Sequence, residues 1–189
     1  MIRRYFSHIF IIATLFSLSC REENRIFDLV DPGKSGITFN NRIPENDTFN
    51  IFIHEYINNG GGVGVGDFNR DGLKDVFFTG NLEDNQLYLN EGDLRFRDIT
   101  NTAGVGMPGA WSSGVTVVDI NGDGWDDIYV TATFWEDAAR RTNRLFINQG
   151  LDEQGLPRFI DEAAAYGIDD DGHSTHAVFL DYDLDGDLD

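Results

Sequence analysis

Three nine-residue stretches carry the chemistry of this chain: DFNRDGLKD at 67–75, DINGDGWDD at 119–127 and DYDLDGDLD at 181–189. In the first, Asp67, Asn69 and Asp71 fill positions 1, 3 and 5, Gly72 position 6, and Asp75 position 9. The second gives Asp119, Asn121, Asp123, Gly124 and Asp127; the third gives Asp181, Asp183, Asp185, Gly186 and Asp189. Like charges packed this closely repel, and none can be buried alone. Alternate side chains in a tight loop converge on one point, and the glycine permits the turn that wraps them round it. Hard oxygen donors with no Cys or His among them select Ca²⁺ over zinc or copper. The carbonyls of Leu73, Trp125 and Asp187, at position 7, are the expected backbone ligands. A cation would cancel the repulsion.

An EF-hand shares positions 1, 3, 5 and 6, but it needs a bidentate Glu at position 12 and flanking helices. Position 12 here is Phe78 and Val130, and the flanks are β-branched and aromatic. That excludes an EF-hand. The competing reading is a plain Asp/Asn/Gly turn without metal, since each residue type favours turns; three copies in register weigh against it. The third copy offers four carboxylates against three and an amide. It is therefore expected to be the strongest site in an intact protein, yet weak in this chain, where Asp189 has no following strand.

The elements that must hold these loops repeat with them. Strand-like runs precede each loop (GVGVG, GVTVV, HAVFL), and DVFFTG and DIYVTAT follow the first two. NQLYLNEG then matches NRLFINQG, and RFRDITNTAGV matches RFIDEAAAYGI. NEG and NQG are turn signals between extended runs. Each repeat thus holds about four short strands, with the acidic loop as the first hairpin turn. Four-stranded units repeating every 40–60 residues or so mark β-propeller blades. The fold class expected is all-β, a propeller with about two blades and the start of a third at approximately 60–110, 111–172 and 173–189. The lead-in at 21–50 is expected to contribute a strand near 27–39, where Gly36-Ile37 echoes Gly104-Val105. Two blades cannot close a ring, so the chain reads as an N-terminal fragment of a longer protein. Extra length in the second repeat falls in WEDAARRT and LDEQGLP, where insertions carry binding surfaces.

Net charge is −19, from 33 acids and 14 bases, which argues against nucleic-acid binding. Hydrophobic residues make up 41%, enough for a packed core rather than a disordered acidic tail. Arg3 and Arg4 precede the apolar run IFIIATLFSL, too short to span a bilayer, which needs about 20 residues. It reads as the core of a signal peptide. The run stops at Cys20, the only cysteine, so no intramolecular disulfide forms.

SLSC resembles the lipobox of bacterial lipoproteins, with Ser19 the small residue before the cysteine and Ser17 where leucine is usual. The resemblance implies cleavage before Cys20, lipidation there and membrane attachment through that anchor alone. Arg21-Glu22-Glu23 is similar to the signal that sends lipoproteins of Bacteroidetes-type bacteria to the outer face of the outer membrane. VGDFNRDGLKD, VVDINGDGWDD and FLDYDLDGDLD resemble the FG-GAP/VCBS repeats of integrin-α-type propellers. NNGGGVGVGDFNRDGLKDVFFTGN, LYLNEGDLRFRDITNTAGV and HSTHAVFLDYDLDGDLD are similar to bacterial surface proteins of the ASPIC/UnbV group. That resemblance implies a seven-bladed ring with Ca²⁺ in the blade hairpins.

Other constellations are weaker. GVGVG lacks the glycine spacing of a dinucleotide fingerprint and reads as a tightly packed inner strand. His173 and His176 read as strand-edge packing, and His54-Glu55-Tyr56 as a minor acid–base candidate. Of the three tryptophans, Trp135 beside Arg140 and Arg141 is the candidate ligand contact. The expected function is a surface-anchored, calcium-stabilised propeller that binds an extracellular glycan or protein and is not itself catalytic. The alternative is the N-terminal part of a propeller-type polysaccharide lyase or dehydratase acting on acidic glycans.

Overall fold

The two complete acidic loops each turn one short strand back on another, because β-branched and aromatic runs flank them and pair across the turn. In the computed structural model, which describes residues 26–189, the loop at 67–74 joins β1 (Val63–Gly66) to β2 (Asp75–Phe78). β3 (Gln86–Asn90) and β4 (Phe96–Asp98) complete a four-stranded antiparallel sheet in the order β1-β2-β3-β4. Gly66 pairs with Asp75, so the first and last acids of the loop stand at its two feet.

The second repeat builds the same meander from β5 (Ser112–Val118), β6 (Asp127–Ala132), β7 (Arg144–Leu151) and β8 (Pro157–Asp161). Val118 pairs with Asp127, the counterpart of the Gly66–Asp75 pair. The described protein is thus mostly β, in two four-stranded antiparallel sheets. Cys20, the apolar run before it and Arg21-Glu22-Glu23 lie outside the described residues. Asp31–Asp189 form one compact unit.

The sheets stack face to face. Phe68, Phe77 and Leu87 from the first repeat meet Ile128, Val130 and Phe146 from the second in one core. Every residue of β6 is buried, because its other face is covered as well. There Tyr129, Leu145 and Ile147 pack with Ile168, Ala177 and Phe179. β1 lies against β5 at close range: a Cβ on Gly64 would sit 2.9 Å from Val117 Cγ2. GVGVG is therefore a packing strand, with its small residues turned toward the neighbouring sheet.

Two expectations about the flanks are corrected. HAVFL at 176–180 forms no strand. Thr116 Oγ1 donates to the Ala177 carbonyl at 2.6 Å, and Phe179 meets Tyr129 edge-on at 5.3 Å, so this stretch covers the second sheet without joining it. Among the described residues, its ladder-like contact is the Leu180–Asp189 pair, which exchanges backbone hydrogen bonds of 3.3 and 2.9 Å.

The strand expected near 27–39 is instead a helical turn, Pro32–Ser35. Asp31 caps it by accepting from the Lys34 N–H, Pro32 suits the first turn, and Gly36 ends it at φ 79°. Thr100–Ala103 with Gly104 (φ 81°) and Ala163–Tyr166 with Gly167 (φ 71°) repeat that turn after each sheet. The echo between Gly36-Ile37 and Gly104-Val105 is an echo of helix termini. Phe39 stacks on Phe78 at 5.0 Å, and Asn41 and Asn81 exchange hydrogen bonds of 2.7 and 3.0 Å, so the lead-in docks on the first sheet.

Candidate metal centres

The three acidic loops adopt one conformation. The backbone turns left-handed at position 4 (Arg70 φ 57°, Gly122 φ 71°, Leu184 φ 64°) and again at the glycine of position 6 (φ 86°, 86° and 99°). At position 1, Asp67 accepts the Asp71 N–H on Oδ1 at 3.0 Å and the Gly72 N–H on Oδ2 at 2.9 Å. Asp119 does the same for Asp123 (3.0 Å) and Gly124 (2.8 Å), and Asp181 for Asp185 (3.1 Å) and Gly186 (3.2 Å). Position 3 repeats as well: Asn69, Asn121 and Asp183 each accept the position 5 N–H on Oδ1. Position 5 in turn accepts the position 7 N–H, from Leu73, Trp125 and Asp187.

Position 9 divides the copies. Asp75 and Asp127 are fully buried. Asp75 Oδ2 accepts the Phe68 N–H at 2.9 Å, and Oδ1 accepts the Asn90 N–H of β3 at 2.8 Å. Asp127 takes Ile120 (3.1 Å) and Asn148 of β7 (2.8 Å) in the same way. Each ties its loop to the third strand of its own sheet. Burial pushes both carboxyls up to about 6; the backbone donors pull them down, and the acids at positions 5 and 1 push them up again. Asp189 is exposed, and among the described residues its side chain accepts only the Tyr182 N–H, at 2.9 Å.

This donor set fits a hard divalent cation. Every candidate atom is oxygen, and a carboxylate oxygen that accepts one N–H keeps a second lone pair. In the third loop, one oxygen each from Asp181, Asp183 and Asp189 lie within 4.8 Å of one another. Oxygens sharing one Ca²⁺ at 2.3–2.6 Å stand no more than about 5 Å apart.

Adjacent loops also touch. The Asp67 N–H donates to Asp126 Oδ2 at 2.8 Å, and Asn148 Nδ2 donates to the Phe68 carbonyl at 3.0 Å. The Arg70 guanidinium lies 5.0 Å from the centre of the Trp125 ring. These contacts join the first loop to the second sheet, and the spacing of the acids gave no sign of them. Asn90 and Asn148, read from sequence as turn residues only, also hold the position 9 acids. Their identical placement in NEG and NQG was the available signal.

Trp135, Arg140 and Arg141 engage one another and the backbone. Arg140 stacks 3.7 Å from the Trp135 ring centre and donates to the Gly109 carbonyl at 2.8 Å. Arg141 donates to the carbonyls of Trp135, Glu136 and Asp171. The insertion is pinned by its own cations.

At the end of the sheets away from the acidic loops, the chain forms a pocket of about 790 Å³. Its walls include His54, Glu55, Tyr56, Trp111, Phe134 and His173, brought together from the stretch before β1, the second repeat and the segment after β8. Trp111 and Phe134 stack at 4.2 Å and 18°, and His54 lies 5.1 Å from Phe134. His54-Glu55-Tyr56 and His173 were separate minor features of the sequence. A separation of well over a hundred residues hid their convergence.

Residues 67–130 match the family model of the FG-GAP-like repeat. The match begins at position 1 of the first loop and ends within β6, so it takes in the first two loops and strands β2 to β5.

Proposed function

We propose that this chain is part of a calcium-stabilised β-propeller that is displayed outside the cell on a lipid anchor and binds an extracellular ligand without catalysis. Two successive four-stranded meanders stacked face to face, each with the same helical turn after its fourth strand, support blade architecture. The observation that carries the calcium reading is the repeated hydrogen-bond geometry of three all-oxygen loops. Asp67, Asn69, Asp71, Asp75 and the Leu73 carbonyl would hold Ca²⁺ in the first; Asp119, Asn121, Asp123, Asp127 and the Trp125 carbonyl in the second. Asp181, Asp183, Asp185, Asp189 and the Asp187 carbonyl would do so in the third. Calcium supplies charge neutralisation, and its binding free energy becomes folding free energy. Anchoring at Cys20, on the outer membrane of a Bacteroidetes-type bacterium, rests on the lipobox-like SLSC and the acidic residues after it.

Calorimetric titration with calcium, alongside thermal melting in calcium and in chelator, tests this reading. Binding at two or more sites with a large rise in melting temperature is expected. A folded protein that binds no calcium would overturn it. The polysaccharide lyase or dehydratase reading draws on the meeting of His54, Tyr56 and His173 in one pocket. Cleavage of an acidic glycan, abolished by His54→Ala, would favour it.

A further inference from the structure

We propose that the pocket at the end of the second sheet opposite its acidic loop is a carbohydrate subsite, and that the ring it takes is a neutral sugar. The proposal rests on the reading of the chain as a ligand-binding module and names the place and the ligand class.

The volume, about 790 Å³, falls in the range of small-molecule sites, roughly 300–1,000 Å³. Its chemistry is of two kinds. Trp111 and Phe134 form a stacked aromatic wall that His54 extends. Trp111 is buried beneath Phe134, so the open part of this wall is Phe134 and His54, which suits the C–H face of a pyranose, apolar although its rim is polar. Around it stand hydroxyls and a carboxylate. Ser113 donates to the Ser174 carbonyl at 2.8 Å and keeps acceptor capacity; Thr133 Oγ1 lies 3.3 Å from His173 Nδ1. The side chains of His54, Glu55 and Tyr56 take no hydrogen bond from any other described residue, and Tyr56 is 66% exposed. An ionised carboxylate can accept from two vicinal hydroxyls, and a phenol or imidazole can donate or accept.

Among the described residues, no Lys or Arg lines this pocket. The nearby Arg140 and Arg141 are held against Trp135 and backbone carbonyls. A uronate needs a cation, best a bidentate arginine, to repay the desolvation of its carboxylate. Here Glu55 and a net charge of −19 would oppose it. The pocket is built for hydroxyls, not for acids.

The backbone also shows where the wall was shaped. Phe134 is held at φ 72°, a conformation costly for a bulky side chain. That backbone sets its ring against Trp111 rather than along the course of β6.

The test uses the purified protein and a panel of neutral hexasaccharides built from glucose, mannose, galactose or xylose, with hexagalacturonate as the acidic counterpart. Binding is read by calorimetry and by quenching of tryptophan fluorescence. Binding of at least one neutral hexasaccharide is expected, with hexagalacturonate tenfold weaker or absent. Tyr56→Ala and Glu55→Gln, both on exposed residues, should each weaken it at least tenfold and leave the calcium-dependent rise in melting temperature unchanged. Tighter binding of hexagalacturonate, or neutral binding indifferent to both substitutions, would overturn the proposal. So would no binding to either class by a protein that still melts higher in calcium. That last result would leave the calcium reading standing, whereas loss of the calcium effect alone would count against that reading and not against the sugar subsite.

Discussion

Asp127→Asn separates what the loop acid does for the fold from what it does for a cation. Asp127 is fully buried, and burial raises its carboxyl from 3.8 to about 6. At 1.36 kcal/mol per pH unit, holding it ionised in the cation-free fold at neutral pH costs ~3 kcal/mol. Asparagine removes that charge. It also turns one acceptor oxygen into an NH₂ that faces a backbone donor, either Ile120 or Asn148, at a cost of about 1–3 kcal/mol. The two effects oppose each other, so in chelator the variant should melt within a few degrees of the parent. In calcium the balance changes. A site at a thousandfold excess over its Kd stabilises by about 4 kcal/mol, and a hundredfold loss of affinity removes about 2.7 kcal/mol of that. At about 2–4 °C per kcal/mol, the variant should then melt ~5–10 °C below the parent. The assay is thermal unfolding of both proteins, each in calcium and in chelator. Equal shifts in the two conditions would refute the reasoning, because Asp127 would then be a structural clamp with no share in a metal site.

The same buried acids set a pH dependence. Their folded values lie above the unfolded value of 3.8, so they favour the fold below pH ~4, and that contribution is lost as pH rises through about 6. Melting in chelator should therefore show this loss between pH 4.5 and 7.5, while calcium affinity should drop as pH falls through about 6; parallel curves with and without calcium would contradict this. Gly72→Ala tests the turn alone, since a Cβ at φ 86° meets nothing within 4 Å. It should cost about 1–2 kcal/mol from the left-handed backbone, seen as a lower urea midpoint. Asp189 lacks the second backbone clamp that Asp75 and Asp127 have, so the third loop should fill last. Asp181→Asn should remove only the weakest phase of a calcium titration, and loss of the tightest phase would reverse that order.

The sequence made the strands and their order legible because each loop is short and each partner strand follows within a few residues. Asp67 to Asp75, and the DVFF and DIYV runs after them, need only local pairing to become hairpins. The roles of position 9 were half legible. Asp75 and Asp127 were visible as acids, but their burial and their bonds to Asn90 and Asn148 come from the third strand folding back. The lead-in departs from the strand expected there for a physical reason: an Asp-Pro start and a Gly stop specify a helical turn, and they outweigh a resemblance to a strand. His54 and His173 illustrate the opposite limit. Their local patterns supported only minor readings, and the fold of distant segments brings them to one pocket.

That stacking gives the two ends of the sheets different work. At one end, Asp67 reaches Asp126 and Arg70 reaches Trp125, so whatever fixes one loop also fixes its neighbour. At the other end, the pocket walls come from residues 54–60, from the ends of β5 and β6 away from their loop, and from the segment after β8. A cation at the second loop therefore has a direct route to the pocket, along the paired strands β5 and β6 that the loop joins. If that route is stiff, ligand affinity should be the same in calcium and in chelator for as long as the protein stays folded, and calcium would act on the pocket only by keeping the sheets together.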